Sequence, residues 1–351
     1  MRDSLIERCD RCQVMKVLID HQLPFALAHG GFQIQIEQTK EALAKIGLEV
    51  DHLRFWDSGQ KADVIHVFGR CSSGYVELAQ GKGIAVVMSD LLSETGSRSP
   101  MALFAQKSII RLAGRVMPRR FLSRMGWESF RAADAVIAGT PWEARLMIDL
   151  FGADESKVHV VPNGVEECFF ADTLDDRRED WLLSTVTITP RKRAVELAQA
   201  AVAGKVKVRI VGKPYSEQDP YYQQFVKICG TNRDYVDFSG PISDREELAF
   251  AYKKARGFVL FSIFESLSLS AGEAAAAGCP LLLTDLPWAR TTFGEHATYC
   301  PLAATAEEAG QILKSFSQNI ATQPKPPSQV RWTDVAERLK AIYAATLASR
   351  K

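Results

Sequence analysis

The chain has 351 residues, 46% apolar and 24% charged, with a formal net charge of +1. That length suits about two domains, each large enough for its own core, and a charge so balanced offers no long-range field for nucleic acid. Seven scattered cysteines in a chain of this size exclude a disulfide framework and point to a reducing, cytoplasmic setting, and no apolar run is long enough to cross a bilayer.

Residues 1–14 are polar and patternless and read as an extension ahead of Met15. They hold a lone Cys9-x-x-Cys12, without the second pair that a zinc site needs. From residue 15 short apolar runs alternate with stretches of helical period. A strand at Val17–Ile19 leads to Gly30-Gly31 and the helical IQIEQTKEALAKIG; then come LEVDHLRF, ADVIHVFG, a helix near 74–80 and IAVVMSD. A mostly helical stretch covers about 101–132, followed by the strand ADAVIAGT, the helix PWEARLMIDLFG and the strand KVHVVPNG. Val- and Ile-rich strands separated by helices predict a parallel sheet covered on both faces.

The pattern restarts after a charged break near 163–178. WLLSTVTI reads as a strand and Arg191–Ala203 as a helix; KVKVRIVG, YVDFSG and RGFVLFSIF are strands, the last ending near Phe264, with SDREELAFAYKKA a helix before it. Ser243-x-x-Glu246 and Thr305-x-x-Glu308 have the spacing of capping boxes. CPLLLTD and HATYC are further strands. Three prolines in TQPKPPSQ exclude helix, and beyond them TDVAERLKAIYAATLASR places Val335, Leu339, Ile342 and Thr346 on one stripe. The expected fold is α/β: two doubly wound Rossmann-like domains facing a cleft, over 15–165 and 178–323, with 331–351 crossing back to the first domain.

Two glutamates bracket the apolar segment F264-ESLSLSAGE-273. Glu265 is expected in a strand-to-helix loop at the carboxyl edge of the second sheet, where open α/β sheets bind ligands. First-turn amides near Leu269 and Ser270 would favour an anion. A plainer reading stands beside this one, because Ser270-x-x-Glu273 also fits a capping box, with Glu265 a solvated loop residue. Arg191 and Lys192, in TITPRKRA, follow another strand end at the same edge. Two cations and a helix N-terminus facing one crevice would hold a diphosphate, although the cations also fit a solvated helix start.

FESLSLSAGEAAAAGCP resembles the segment YEGFGLxxxEAMAxGxP of the retaining glycosyltransferases of family 4, which have the GT-B fold. VVPNGVE, TITPRKR, Ala28-His29-Gly30-Gly31, VDFSGPISDREELAFAYKKARGFVLFS and RWTDVAERLKAIY resemble further segments of that family, in its order. The resemblance implies that Glu273 binds the ribose hydroxyls of a nucleotide sugar, that Glu265 contacts donor-sugar hydroxyls, and that Arg191 and Lys192 neutralise the departing diphosphate. It implies donor contacts for Gly30, Gly31, Gly212, Lys213, Ser268, Leu269 and Ser270, a UDP- or GDP-linked sugar as substrate, no metal, and a glycan, lipid-linked or small-molecule acceptor.

The chain departs from the family where a histidine is usual after the fourth strand. Ser89 stands there, followed by Asp90, and His29 and His66 near strand ends are candidates to compensate. Ser268 replaces a glycine. These departures keep two alternatives open: a degenerate protein that binds nucleotide sugars or glycans without turnover, and a nucleotide-sugar epimerase of similar fold. Trp56, Trp142 and Trp288 are candidates for sugar stacking, with core packing the plainer account. Basic residues at 107, 111, 115, 119, 120 and 124, interleaved with apolar ones, suit either a solvated helix or peripheral contact with the inner face of a membrane.

Overall fold

A computed structural model of the chain describes residues 14–21, 24–25, 30–122, 125–170 and 178–350, apart from the side chains of Arg119 and Arg120. The Cys9–Cys12 pair, His29, Arg124 and most of the expected extension lie outside the described residues. The first half contains β1 (Lys16–His21), α1 (Gly31–Lys45), β2 (Glu49–His52), β3 (Val64–Phe68), α2 (Ser73–Gly81), β4 (Ala85–Ser89), α3 (Ser93–Gly96), α4 (Pro100–Val116), α5 (Arg119–Leu122), α6 (Ser129–Ala132), β5 (Ala135–Ala138), α7 (Pro141–Phe151) and β6 (Val158–Val160). The second contains β7 (Leu182–Thr185), α8 (Ala194–Gly204), β8 (Val208–Val211), α9 (Pro220–Thr231), β9 (Val236–Gly240), α10 (Arg245–Lys254), β10 (Gly257–Leu260), α11 (Leu269–Ala276), β11 (Leu281–Thr284), α12 (Pro287–Phe293), β12 (Thr298–Cys300) and α13 (Ala306–Gln318). The closing helix is α14 (Trp332–Ala348).

Each half forms one parallel six-stranded sheet, in the orders β2-β1-β3-β4-β5-β6 and β12-β11-β10-β7-β8-β9. The central strands are apolar throughout because helices cover both faces: every residue of β4 (AVVMS), β10 (GFVL) and β11 (LLLT) is buried. Register is parallel from strand to strand, with Val64 beside both Val17 and Ala85, and Phe258 beside both Leu183 and Leu281.

Several boundaries differ from the sequence expectation, each for a local reason. Thr305 and Glu308 form the expected capping box, but α10 is capped by Asp244, which accepts from Glu247 N at 2.8 Å, in place of Ser243. A carboxylate at a helix N-terminus gains from the dipole as well as from the hydrogen bond. The helix expected from Arg191 begins at Ala194, because Pro190–Lys192 makes a 3-10 turn and Arg193 is left-handed, with φ 54°. Strand β10 stops at Leu260, so residues 261–268 form a longer loop than RGFVLFSIF suggested. Among the described residues the stretch 101–132 contains three helices, broken first at Pro118.

The chain crosses between the halves twice, side by side. Val165 N donates to Val330 O at 2.9 Å, and Val165 pairs with Arg331 as an isolated parallel bridge. A Cβ on Gly164 would lie 2.6 Å from Trp332 N, so only glycine allows the crossings this close. From there α14 packs on α1 and the first sheet. Its Trp332, Val335, Leu339 and Tyr343 share a core with Val17, Val64 and Val87. The stripe read from the sequence includes Val335 and Leu339 but omits Tyr343, which is fully buried.

Candidate functional site

The second sheet fixes the site. The chain leaves β7 towards β8 and β9 on one side, then returns to β10 on the other. The loops that follow β7 and β10 therefore diverge and leave a crevice at the carboxyl edge. Arg191 and Lys192 lie on the first loop and Glu265 on the second. Ile263 N donates to Arg191 O at 2.8 Å and ties the loops together.

Lys192 Nζ forms a close ion pair with Glu265 Oε1, and Arg191 Nη1 reaches the same oxygen at 3.2 Å. Arg191 Nη1 also donates to Phe264 O at 3.2 Å. The side chains of Lys192 and Glu265 are 12% and 10% exposed, whereas that of Arg191 is 36% exposed and faces the cleft. Burial pushes the Glu265 carboxyl up, but Lys192 and Arg191 outweigh it and hold the group below the ordinary glutamate value. Burial lowers the Lys192 ammonium, partly offset by Glu265. The three charges sum to one net positive charge at the sheet edge.

The cleft has a volume of about 580 Å³ and is lined from both halves. Gly30, Gly31 and Phe32 come from the start of α1, Leu91 and Ser93 from the segment after β4, and the opposite wall carries Arg191, Lys192, Gly212, Lys213, Arg245, Glu265 and residues 266–270 and 273. Gly212 has φ 152°, and a Cβ there would lie 1.8 Å from Val186 O. The two loops at the floor of the cleft touch backbone to backbone, which no side chain permits. Across the cleft, a Cβ on Gly31 would be 3.5 Å from Leu269 Cδ1, so the glycine loop of the first half meets the first residue of α11.

Ser268, not Ser270, caps α11; its Oγ accepts from Ala271 N at 3.3 Å. The capping-box account of Glu273 is thereby corrected, since Glu273 lies a turn beyond the capping position. Its buried carboxylate accepts from Arg245 Nη2 at 2.5 Å and from Tyr252 Oη at 3.0 Å, on the cleft wall. Burial pushes this carboxyl up, against the pull of Arg245 and Tyr252. Arg245 also donates to Glu166 at 2.8 Å, on the segment that crosses between the halves. Arg245 and Tyr252 were missed from the sequence. The only signal there is an arginine and a tyrosine on the helix preceding β10, two turns apart.

Other expected contacts lie elsewhere. Ser89 is buried at the end of β4, with its Oγ 2.7 Å from His66 Nε2, and His66 Nδ1 is 2.6 Å from Tyr343 Oη. Burial lowers the His66 imidazole to about 3. Asp90 is paired with Arg70 at 2.6 Å. None of these three lines the cleft, whereas Leu91, one residue on, does. Trp288 is 1% exposed and belongs to the core. Trp142 donates to Gly96 O at 2.9 Å, and Trp56 is 83% exposed in the loop after β2, away from the lining. Among the described residues no group of three or more His, Cys, Asp or Glu is placed to hold a metal ion, and no helix is long and apolar enough to cross a membrane.

The family model for Glycosyltransferase Family 4 matches residues 39–167, and that for Glycosyl transferases group 1 matches residues 186–317. Mannosylfructose-phosphate synthase of Agrobacterium fabrum is 24% identical over 243 residues, 61% of this chain and 53% of that protein. The chain spans about half the length of the curated relatives it matches. Among solved structures, sucrose-phosphate synthase from Thermosynechococcus elongatus superposes with a TM-score of 0.62 at 18% identity, over 95% of this chain and 100% of that one. HepE of Anabaena, solved with UDP and glucose, gives 0.60 at 15% identity, over 95% and 100%. At these identities the likeness is one of fold.

Proposed function

The chain belongs to glycosyltransferase family 4, with two Rossmann-like halves in the GT-B arrangement, and from that premise we propose that it moves a sugar from a nucleotide-sugar donor to an acceptor with retention of anomeric configuration. The observation that carries this reading is the crevice between β7 and β10, where Arg191, Lys192, Glu265 and the N-terminus of α11 meet on one wall of the cleft. Negative charge grows on the leaving diphosphate as the bond to the sugar breaks. Arg191, exposed to the cleft, and the first-turn amides of α11 are fixed dipoles and charge for it. Lys192 contributes mainly by holding Glu265 ionised, so that its carboxylate can accept hydroxyls of the sugar. Glu273 takes the ribose: Arg245 and Tyr252 each use one lone pair of its oxygens, and further pairs remain for two hydroxyls. Gly212 and Lys213 line the diphosphate side, and Gly30 and Gly31 let the first half close over the donor. The acceptor enters from the first half as a glycan, a lipid-linked sugar or a small molecule.

A thermal-shift panel of UDP, GDP, ADP and their sugar conjugates, on native protein and Glu273→Ala, tests the donor site. A shift with one nucleotide, lost in the variant, supports it; no shift with any of them refutes it. Release of nucleoside diphosphate from the sugar conjugate separates an enzyme from a binding protein, which would release none. A proton NMR time course of the product anomer separates retention from inversion, and from epimerisation of the donor.

A second reading concerns where the enzyme works. Met101, Phe104, Ile109, Leu112 and Val116 are 60–83% exposed on α4. Their spacing puts them on the face opposite the buried Leu103, Ile110 and Ala113. Arg111 and Arg115 are exposed beside that face, and α4 contains no carboxylate. Lys107 is occupied by Asp149 at 3.1 Å, and α4 ends at Val116, so the basic stretch expected over 107–124 is not one continuous helix. An apolar face edged by arginine suits the surface of an anionic bilayer, and we read α4 as a peripheral membrane contact. Flotation with phosphatidylglycerol vesicles, lost in Leu112→Asp and weakened in Arg111→Glu/Arg115→Glu, would bear this out. Native protein that stays with the soluble fraction overturns it.

A further inference from the structure

One carboxylate joins the two lips of the cleft. Glu143, in the first turn of α7, is 2% exposed. Its Oε2 accepts from Gly139 N at 3.1 Å, and its Oε1 accepts from Leu92 N at 2.8 Å and from Ser266 Oγ at 2.7 Å. Gly139 and Leu92 belong to the first half, and Leu92 lies between the cleft residues Leu91 and Ser93. Ser266 belongs to the second half and directly follows Glu265. Leu267 packs beside the same place, its Cβ 3.7 Å from where a Cβ on Gly139 would be, and α7 also packs against α12 of the second half.

We propose that Glu143 and Ser266 are positioning residues, a docking pair that fixes the loop carrying Glu265 when the halves close. The asymmetry of the contacts argues for this. Two of the three donors to Glu143 are backbone amides of its own half, so the carboxylate is held in place whether the cleft is open or shut. The third donor is a side chain arriving from the other half. Opening therefore breaks one hydrogen bond and leaves the acceptor satisfied, as a reversible contact requires. The hydrogen bond joins two buried groups, Glu143 at 2% and Ser266 at 7% exposure, where a hydrogen bond is stronger than in water. The next residue back is Glu265, bound to Lys192 and Arg191, so fixing Ser266 fixes the carboxylate against the cations and against the first half together.

The catalytic part of this inference rests on the transferase reading; the docking part does not, and the two are tested apart. Ser266→Ala, Glu143→Gln, the double variant and Ser266→Thr are made in the full chain. Small-angle scattering without ligand reads the arrangement of the halves: Ser266→Ala is expected to have a larger radius of gyration than native protein, and Ser266→Thr, which keeps the hydroxyl, to match it. Equal radii for native and Ser266→Ala overturn the docking pair, whatever the protein catalyses. With the donor identified by thermal shift, donor turnover is then measured. Ser266→Ala and Glu143→Gln are each expected to lower kcat about tenfold with KM for the donor within twofold, and the double variant to be no slower than the slower single. A kcat unchanged in Ser266→Ala, or losses that multiply in the double variant, overturn the positioning role. If no nucleotide binds native protein, the transferase reading fails while the scattering result still decides the pair.

Discussion

Lys192 and Glu265 stand 73 residues apart and form one buried ion pair that closes the crevice between β7 and β10. The pair joins the two loops that the strand order forces apart. It also explains why two carboxylates can edge a segment as apolar as FESLSLSAGE: each is matched by cations from a distant part of the chain, Glu265 by Lys192 and Arg191, Glu273 by Arg245.

Removing one partner of that pair should cost more than a surface charge would. Lys192→Ala leaves Glu265 buried with only Arg191 beside it, and a loss of about 3 kcal/mol is expected in urea denaturation at pH 7. The pair also predicts acid sensitivity. Because the folded-state value of Glu265 lies below its unfolded value, its contribution is present above the unfolded carboxylate value and is lost as pH falls through the lower, folded one. Native protein should lose stability over that window more steeply than Glu265→Gln; parallel curves would mean that the pair contributes nothing.

His66 predicts a second dependence, at higher pH. Its imidazole is held at about 3 in the folded chain, against 6.5 unfolded. Between those values the unfolded state binds the extra proton, so stability is complete above 6.5 and declines as pH drops, by up to about 1.4 kcal/mol per pH unit. Urea melts at pH 7.5, 6 and 5 should show this slope in native protein and a shallower one in His66→Asn, where His52 and His159, also lowered by burial, still contribute. At constant pH 7.5, Tyr343→Phe leaves the ring without its Nδ1 partner and should cost about 1–3 kcal/mol.

Gly212→Ala is expected to be among the most damaging single changes in the chain. The new methyl would meet Val186 O at 1.8 Å, and backbone cannot yield as a side-chain tip can. A loss of more than about 4 kcal/mol, or no folded protein, is expected. Gly30→Ala is the control: its φ is 136°, but nothing lies within 4 Å. It should cost only the strain, about 1–3 kcal/mol.

Nucleotide binding should depend on the charge of Glu273 more than on its bulk. At a ligand concentration about a hundred times Kd, native protein should gain about 2.7 kcal/mol of stability. Glu273→Gln, which keeps the shape, should weaken binding about tenfold in calorimetric titration, because the amide carries no charge and one of its two acceptor atoms becomes a donor. Equal affinities would remove Glu273 from the donor site.

Much of this architecture was legible from residues 15–350 because parallel strands buried on both faces have to be continuous apolar runs, and β4, β10 and β11 are that. The E-x7-E spacing and the Arg191-Lys192 pair were legible because both follow strand ends, where sheet geometry alone gathers side chains. What was not legible depends on partners remote in sequence. Arg245 finds Glu273 only once α10 and α11 lie side by side, and Glu143 finds Ser266 only across the two halves. Ser270 has capping-box spacing with Glu273, but α11 starts at Leu269, which leaves Ser268 at the capping position. Ser89 stands where the resembled family has a histidine, but its hydroxyl is hydrogen-bonded to His66 inside the first half, and Leu91, beyond the end of β4, lines the cleft.

The position of α14 has a consequence for how the chain is made. The first sheet is translated by Val160, yet the core beneath it lacks Trp332, Val335, Leu339 and Tyr343 until the last helix is synthesised. On the ribosome, the half that begins first is completed last. The second half, whose core draws nothing from beyond Ile320, can fold on emergence and hold its place while the first waits with an apolar groove uncovered. A chain that stops before Trp332 should therefore retain its second half and present an aggregation-prone first one.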